Sequence, residues 1–294
     1  MEYPNPEVMD KIVQAASRIR KERPAYEPLI DFYQDLFLAQ ENSKSRVNVD
    51  PVIIARDLVD MKVSNGFPLI EPWQFSLDVP EALELMATLS QLAEAKVPKL
   101  EQAARAIHKA VREKKPELST LFSDLLKGRE EQVSDLASDL DISVEELSFF
   151  AHAAMAPSIR TGALQLARYL KPGEPQAGVC PVCGSSPAMG YFDQNGARYL
   201  ACSLCRHTWM VKRMGCALCQ SQDAERHHYF FSESEKGYRV DLCDACRRYL
   251  KIVDTREIPR DFFPDLELVT TLHLDIKAMD QGYTSQATGV PSPE

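Results

Sequence analysis

The sequence predicts an α+β protein: an α-helical N-terminal domain, two small tandem β modules and a C-terminal helix. Three observations carry this reading. Apolar residues recur at helical spacing through the N-terminal part of the chain. All eight cysteines fall in Cys-x-x-Cys pairs confined to residues 180–246. That cysteine region is an internal duplication, and each copy holds two extended arms around a turn. We place the helical domain at 1–175, the first module at 176–213, the second at 214–256, and the closing helix and tail at 257–294.

The helical domain begins with "MDKIVQAASRIRK", where Ile12, Ala15, Ala16 and Ile19 share one face. "LIDFYQDLFLAQ" places Leu29, Phe32, Tyr33, Leu36 and Phe37 on a second face. "KVSNGFPLIEPWQFSLD" at 62–78 carries Gly66, Pro68 and Pro72 and reads as an irregular connection. Asp78 caps the next helix, in which Leu85, Leu89 and Leu92 recur. Further helices are predicted near 98–113 and 116–127, the second stopped by Gly128. Ser143 with Glu146 forms a capping-box pattern ahead of "LSFFAHAAMA". This region offers helices and no catalytic signature. "KPGEPQAG" at 171–178 is a breaker-rich hinge. Beyond the modules, Val269, Leu272, Ile276 and Met279 are spaced as one helix, and "TSQATGVPSPE" reads as a disordered tail.

The duplication is visible residue by residue. "GARYLACSLCR" (196–206) aligns with "GYRVDLCDACR" (237–247): glycine six before the first cysteine, arginine four before it, and arginine after the second cysteine. An upstream pair precedes each copy, so the pairs run Cys180/Cys183, Cys202/Cys205, Cys216/Cys219 and Cys243/Cys246. The residues between pairs, 18 in one copy and 23 in the other, read as β-hairpins, one turning at Asn195-Gly196 and the other at Gly237. "TWMVKR" and "YLKIV" supply a third extended segment to each copy. Knuckle, hairpin, knuckle, strand is the zinc-ribbon or rubredoxin-like arrangement, in which the hairpin brings two distant Cys pairs into one tetrahedron.

The chemistry follows from the residue types. Two cysteines three apart turn both sulfurs toward one metal across a tight turn. Pro181 restricts that turn, and Gly184 permits a positive φ. Two four-cysteine sites result, with Cys180, Cys183, Cys202, Cys205, Cys216, Cys219, Cys243 and Cys246 as ligands to two metal ions. Four sulfurs suit zinc and rubredoxin-type iron alike. Pairing within each repeat follows from the duplication; a cross-braced pairing, first with third and second with fourth, also satisfies the count. His207, His227 and His228 lie near the cysteines, but four cysteines already close each site. His108, His152 and His273 read as packing or surface residues, and Trp209 as part of a small core. Arg198, Arg206, Lys212, Arg213, Arg239, Arg247, Arg248 and Lys251 read as charge compensation for the thiolates or as a solvated face.

Composition sets the outer bounds. A net charge of −9 gives no global attraction to nucleic acid or to an anionic membrane, so a zinc-ribbon nucleic-acid binder is disfavoured. No apolar run approaches a membrane span, and the N-terminus lacks the charged-then-apolar pattern of a secretion signal. The expectation is a cytoplasmic protein with no membrane insertion. A closed four-cysteine site has no open coordination position, which argues against hydrolytic metal catalysis. The alternative chemistry is electron transfer by iron-thiolate or thiol–disulfide exchange.

The stretches "CPVCGSSP", "RYLACSLC", Trp209, "CALC", "CDACRRYLKI" and the later "QGY" resemble the FdhE family of formate dehydrogenase accessory proteins. The likeness is specific over 178–283 and looser over the helical part. One departure is Cys246-Arg247, where a glycine is usual after such a knuckle. The resemblance implies a helical body carrying two rubredoxin-like modules, a cytoplasmic role in maturing respiratory formate dehydrogenase, contact with its catalytic subunit, and no enzymatic activity.

Overall fold

A computed structural model of the chain describes residues 5–171, 173, 178–233, 235–258 and 261–285. The hinge residues 172 and 174–177 and the tail from 286 lie outside the described residues. The chain forms two units: one runs to Val52 and from Pro72 to Gly162, and the other comprises Ile53–Glu71 and the chain from Ala163 onward.

The first unit is helical. Helix α1 (Pro6–Glu22) starts where the Asn5 side chain accepts from Glu7 N, and it buries the predicted face of Ile12, Ala15, Ala16 and Ile19. Helix α2 (Glu27–Lys44) buries Phe32, Leu36 and Phe37, with Ile30 in place of the half-buried Leu29. Helix α3 (Arg56–Ser64) belongs to the second unit. Helix α4 (Val79–Lys96) is capped as expected, Asp78 accepting from Glu81 N at 3.1 Å. Helices α5 (Glu101–Arg112), α6 (Leu118–Leu126) and α7 (Glu130–Asp139) follow, and Gly128 ends α6 in the left-handed region. Helix α8 (Val144–Ala167) opens on a reciprocal capping box: Glu146 N donates to Ser143 Oγ at 3.1 Å, and Ser143 N to Glu146 Oε2 at 2.9 Å.

The second unit is built on one sheet. Strands β1 (Pro187–Phe192), β2 (Arg198–Cys202) and β3 (Thr208–Val211) come from the first repeat, and β4 (His227–Phe231), β5 (Tyr238–Cys243) and β6 (Arg248–Asp254) from the second. Their spatial order is β3-β2-β1-β6-β5-β4. Both hairpins fall where the turn residues place them. The two repeats are fused by a short parallel pairing, Gly190↔Ile252, Tyr191↔Val253 and Phe192↔Asp254, while every other strand pair is antiparallel. Gly190 sits at this joint because a β-carbon there would lie 2.6 Å from Ile252 Cδ1 and 3.0 Å from the Tyr199 carbonyl oxygen.

One face of the sheet presents Met189, Ala201, Tyr238, Val240, Tyr249 and Val253 to Leu268, Leu274 and Ala278. Those last residues belong to α9 (Pro264–Val269) and α10 (Leu272–Asp280). The single helix expected here is therefore two. The Thr270 and Thr271 hydroxyls bond back to the Leu266 and Glu267 carbonyls at 2.7 Å each, and the turn reorients α10. As a result Ile276 and Met279, expected to be inward, are exposed, and Asp275 is buried instead. Asp275 is turned in to meet Lys251, and both are 3% exposed. Lys251 Nζ donates to Asp275 Oδ2 at 2.6 Å and to the Leu268 carbonyl at 2.8 Å, and Tyr249 OH donates to Asp275 Oδ1 at 2.9 Å.

A buried pair of this kind is costly to break from one side. Lys251→Met is expected to lower stability by about 3–5 kcal/mol, because it strands the Asp275 carboxylate. Adding Asp275→Leu should recover most of that loss. Chemical denaturation of both variants checks this, and equal losses would show that packing, not the uncompensated charge, dominates.

Candidate metal centres

Three of the four knuckles are short turns closed by backbone. The N–H of the residue after the second cysteine donates to the carbonyl of the first: Gly184 to Cys180 at 2.8 Å, Gln220 to Cys216 at 3.0 Å and Arg247 to Cys243 at 2.8 Å. Residues Gly184, Arg206, Gln220 and Arg247 all have positive φ, at 75°, 61°, 61° and 55°. Three of these exit residues, Arg206, Gln220 and Arg247, are not glycine and hold the left-handed backbone at the expense of strain, so the exit at Cys246-Arg247 is one of three of its kind. Backbone donors also reach sulfur. Leu204 N and Cys205 N each lie 3.4 Å from Cys202 Sγ, and Leu218 N and Cys219 N lie 3.4 and 3.5 Å from Cys216 Sγ.

The hairpins bring the sulfurs into two groups, Cys180, Cys183, Cys202 and Cys205, and Cys216, Cys219, Cys243 and Cys246. The pairing is therefore within each repeat and not cross-braced. Sulfur separations are 3.6 Å for Cys180–Cys205, Cys183–Cys202 and Cys183–Cys205. They are 3.9 Å for Cys216–Cys246 and 3.8 Å for Cys219–Cys243. A tetrahedron with metal–sulfur bonds of about 2.3 Å has an edge of about 3.8 Å; these separations match it, and the four sulfurs of each group all lie within 4.8 Å of one another, so both groups suit a divalent metal ion. In the first group the thiols of Cys180, Cys183 and Cys205 donate toward Cys202 and hold it far below the ordinary thiol range, while burial pushes Cys180 well up. In the second, burial pushes Cys216 up to about 12.

The two groups differ in cover. All four cysteines of the first are buried, whereas in the second Cys219 is exposed and Cys216 and Cys246 are half-buried. The stretch read as an irregular connection supplies the cover. Leu69 N and Ile70 N donate to the Pro181 and Val182 carbonyls at 2.9 and 3.0 Å, and Pro68 Cγ lies 3.2 Å from the β-carbon position of Gly184. An apolar Leu-Ile pair between prolines was the one available signal for this contact. The first knuckle is also set tightly against the third: a β-carbon at Gly178 would lie 2.1 Å from the Ala217 carbonyl oxygen.

The basic residues mostly meet carboxylates and not sulfur. Arg198 and Arg239 converge on Asp241 at 2.7 and 2.9 Å, Arg206 meets Asp265 at 2.7 Å, and Arg247 meets Asp244 at 3.1 Å. Neither sulfur group contains a histidine. His228 pairs with Asp244 at 2.8 Å and His273 with Glu235 at 2.7 Å. The "QGY" stretch clamps the last knuckle. Tyr283 OH donates to Asp244 at 2.5 Å, and the Arg247 guanidinium stands 4.5 Å from the Tyr283 ring centroid. The Tyr283 hydrogen bond, with His228, holds the Asp244 carboxyl below its usual range. Asp241 and Asp244 escaped the sequence reading because nothing in their spacing marks them as shared acceptors.

Fold and sites define a class: a helical protein carrying a fused pair of four-cysteine ribbon modules. Residues 179–213 match the family model "FdhE, central domain". A protein FdhE homolog of Aquifex aeolicus (strain VF5) is 24% identical over 273 residues, covering 90% of this chain and 88% of that protein. A homolog from Stutzerimonas stutzeri (strain A1501) is 35% identical over 117 residues, 37% of this chain and 36% of that protein. Protein FdhE of Escherichia coli O9:H4 (strain HS) is 29% identical over 195 residues, 59% of this chain and 60% of that protein. The crystal structure of the FdhE protein from Pseudomonas aeruginosa shares the fold, with a TM-score of 0.68 at 18% identity over 96% of this chain and 95% of that one. The family model, the curated relatives and the solved structure all support the FdhE family for this chain. Among the described residues, no helix is long and apolar enough to cross a membrane.

The exposed Gln220 makes no side-chain hydrogen bond among the described residues, so Gln220→Gly should raise stability by about 0.5–1 kcal/mol through relief of left-handed strain. Arg247→Gly relieves the same strain but loses Asp244 and the Tyr283 ring, and should be neutral or destabilising. Denaturation midpoints measured on the metal-loaded protein decide; a loss of stability in Gln220→Gly would contradict the strain argument.

Proposed function

We propose that this chain is an accessory protein for the maturation of a respiratory formate dehydrogenase, acting in the cytoplasm by binding the catalytic subunit, and that it is not itself an enzyme. The observation that carries the reading is the FdhE fold over nearly the whole chain together with two closed four-sulfur groups. In this reading the eight cysteines hold two ions of iron or zinc. Each ribbon is a three-stranded piece too small for a sufficient core, so metal binding supplies much of its folding energy. The metal, when bound, crosslinks the two knuckles of a repeat; the chain's own residues then present a rigid sheet. The QGY clamp and the Leu69–Ile70 cover fix the knuckles at the two ends.

A second reading, iron-thiolate electron transfer or thiol exchange, draws on the exposure of Cys219. An oxidant or electron partner reaches the second group directly and the first only through covering chain. Iron-loaded protein would then be coloured and would cycle reversibly by one electron.

Elemental analysis of protein purified without chelator should return two equivalents of iron plus zinc, one for each four-cysteine group. One equivalent at full occupancy would remove the two-site reading. Tagged catalytic subunit should recover wild-type protein from a reducing lysate and recover Cys243→Ala/Cys246→Ala poorly. Undiminished recovery of that variant would move the interface to the helical unit and leave the metals a purely structural part.

A further inference from the structure

On the sheet face opposite α9 and α10, beside the second sulfur group, lies a cavity of about 310 Å³. Its wall holds four arginines, Arg198, Arg213, Arg239 and Arg248, and one carboxylate, Asp241. Asp241 is already shared by Arg198 and Arg239. Among the described residues the Arg213 guanidinium lies 5.5 Å from the Phe192 ring centroid and packs beside Gly196, and neither Arg213 nor Arg248 makes a side-chain hydrogen bond or ion pair. Arg198 is 3% exposed, and its Nε has no hydrogen-bond partner. Nε2 of His227, another wall residue, is likewise buried and unpartnered. Buried donors without acceptors are costly, and a guanidinium left so is more costly than a neutral group. Arg198 Nε and, in the tautomer that protonates it, His227 Nε2 are two such donors beside one cavity, and with positive charge in excess they describe a place for an anion rich in acceptor oxygens.

We propose that this cavity binds a phosphate group, either as free phosphate or as the phosphate of an ester. A phosphate offers three or more acceptor oxygens in a compact tetrahedron, which matches the Arg248 guanidinium from β6 and the Arg213 guanidinium from the segment after β3; Arg198 already gives its terminal nitrogens to the Gly215 carbonyl and Asp241 and keeps only Nε unpaired. The competing role for the same arginines is charge balance for a tetrathiolate metal, since Cys216 and Cys243 share the wall. Cys216 does act on Arg198 through its charge, but that role leaves the hydrogen-bonding capacity of Arg198 Nε and His227 Nε2 unused, for neither atom has a hydrogen-bond partner. At the rim Tyr229 is 60% exposed and stacks with Phe231 at 6.3 Å between centroids. An ester bearing a planar ring would gain a stacking surface there; free phosphate would not.

The test is calorimetric titration of the full-length, metal-analysed protein with inorganic phosphate, pyrophosphate and adenosine monophosphate. Saturable binding is expected for at least one probe, weakened about tenfold or more by Arg213→Gln and by Arg248→Gln, each of which removes a charge-assisted contact but no internal hydrogen bond. Tighter binding of the nucleotide, lost in Tyr229→Ala, identifies an ester; indifference to Tyr229→Ala identifies free phosphate. The proposal is overturned if no probe saturates, or if both arginine variants bind as the wild type does. Loss of metal from the variants without any anion binding would assign the arginines to charge balance.

Discussion

The parallel pairing of β1 with β6 is the contact on which the rest of the second unit depends. It spans only three residue pairs, yet it turns two three-stranded ribbons into one six-stranded sheet. Only a joined sheet offers a face broad enough for α9 and α10, because the residues they cover come from strands of both repeats. The opposite face is joined too. Arg198 of the first repeat reaches Asp241 of the second, so one carboxylate ties the repeats electrostatically where backbone pairing is shortest. Gly190 suits this joint: a β-carbon there would crowd the tip of the Ile252 side chain and the Tyr199 carbonyl oxygen.

Much of this was legible in the sequence. The repeat frame, with glycine six and arginine four residues before a cysteine, located the hairpins and both four-cysteine groups without reference to any structure. Helix faces and caps at Asp78 and Ser143 were legible because they depend on nearest neighbours along the chain. What was hidden depends on partners remote in sequence. Leu69 and Ile70 look like connection because their backbone partners lie more than a hundred residues away. The α9–α10 break was masked by a regular apolar spacing; the inward position went to Asp275 because the buried Lys251 ammonium needs a carboxylate more than the core needs another methyl group.

The two sulfur groups show how one local design acquires different properties from its surroundings. Turn closure, left-handed exit residue and backbone donors to sulfur recur in both repeats. The first group is sealed by a strap of chain from before α4, while the second keeps a cysteine in solvent. Ligand identity sets what each site can bind. Cover sets how fast a bound ion, an oxidant or a competing thiol can be exchanged there.

The order β3-β2-β1-β6-β5-β4 is a head-to-tail arrangement, because β1 corresponds to β4 and β3 to β6 in the repeat. A pair related by a two-fold axis closes on itself and uses up its joining surface. This one does not: the sheet terminates at one end in the counterpart of the strand that donates its central edge, and at the other in the counterpart of the strand that receives it. Lengthening is therefore permitted by geometry, and restraint falls to the chemistry of the borders. At one border β3 is only four residues long and runs into Lys212 and Arg213; at the other, β4 begins with two adjacent histidines, one held by Asp244. Short length and charge are the means by which open sheets avoid growing into fibres.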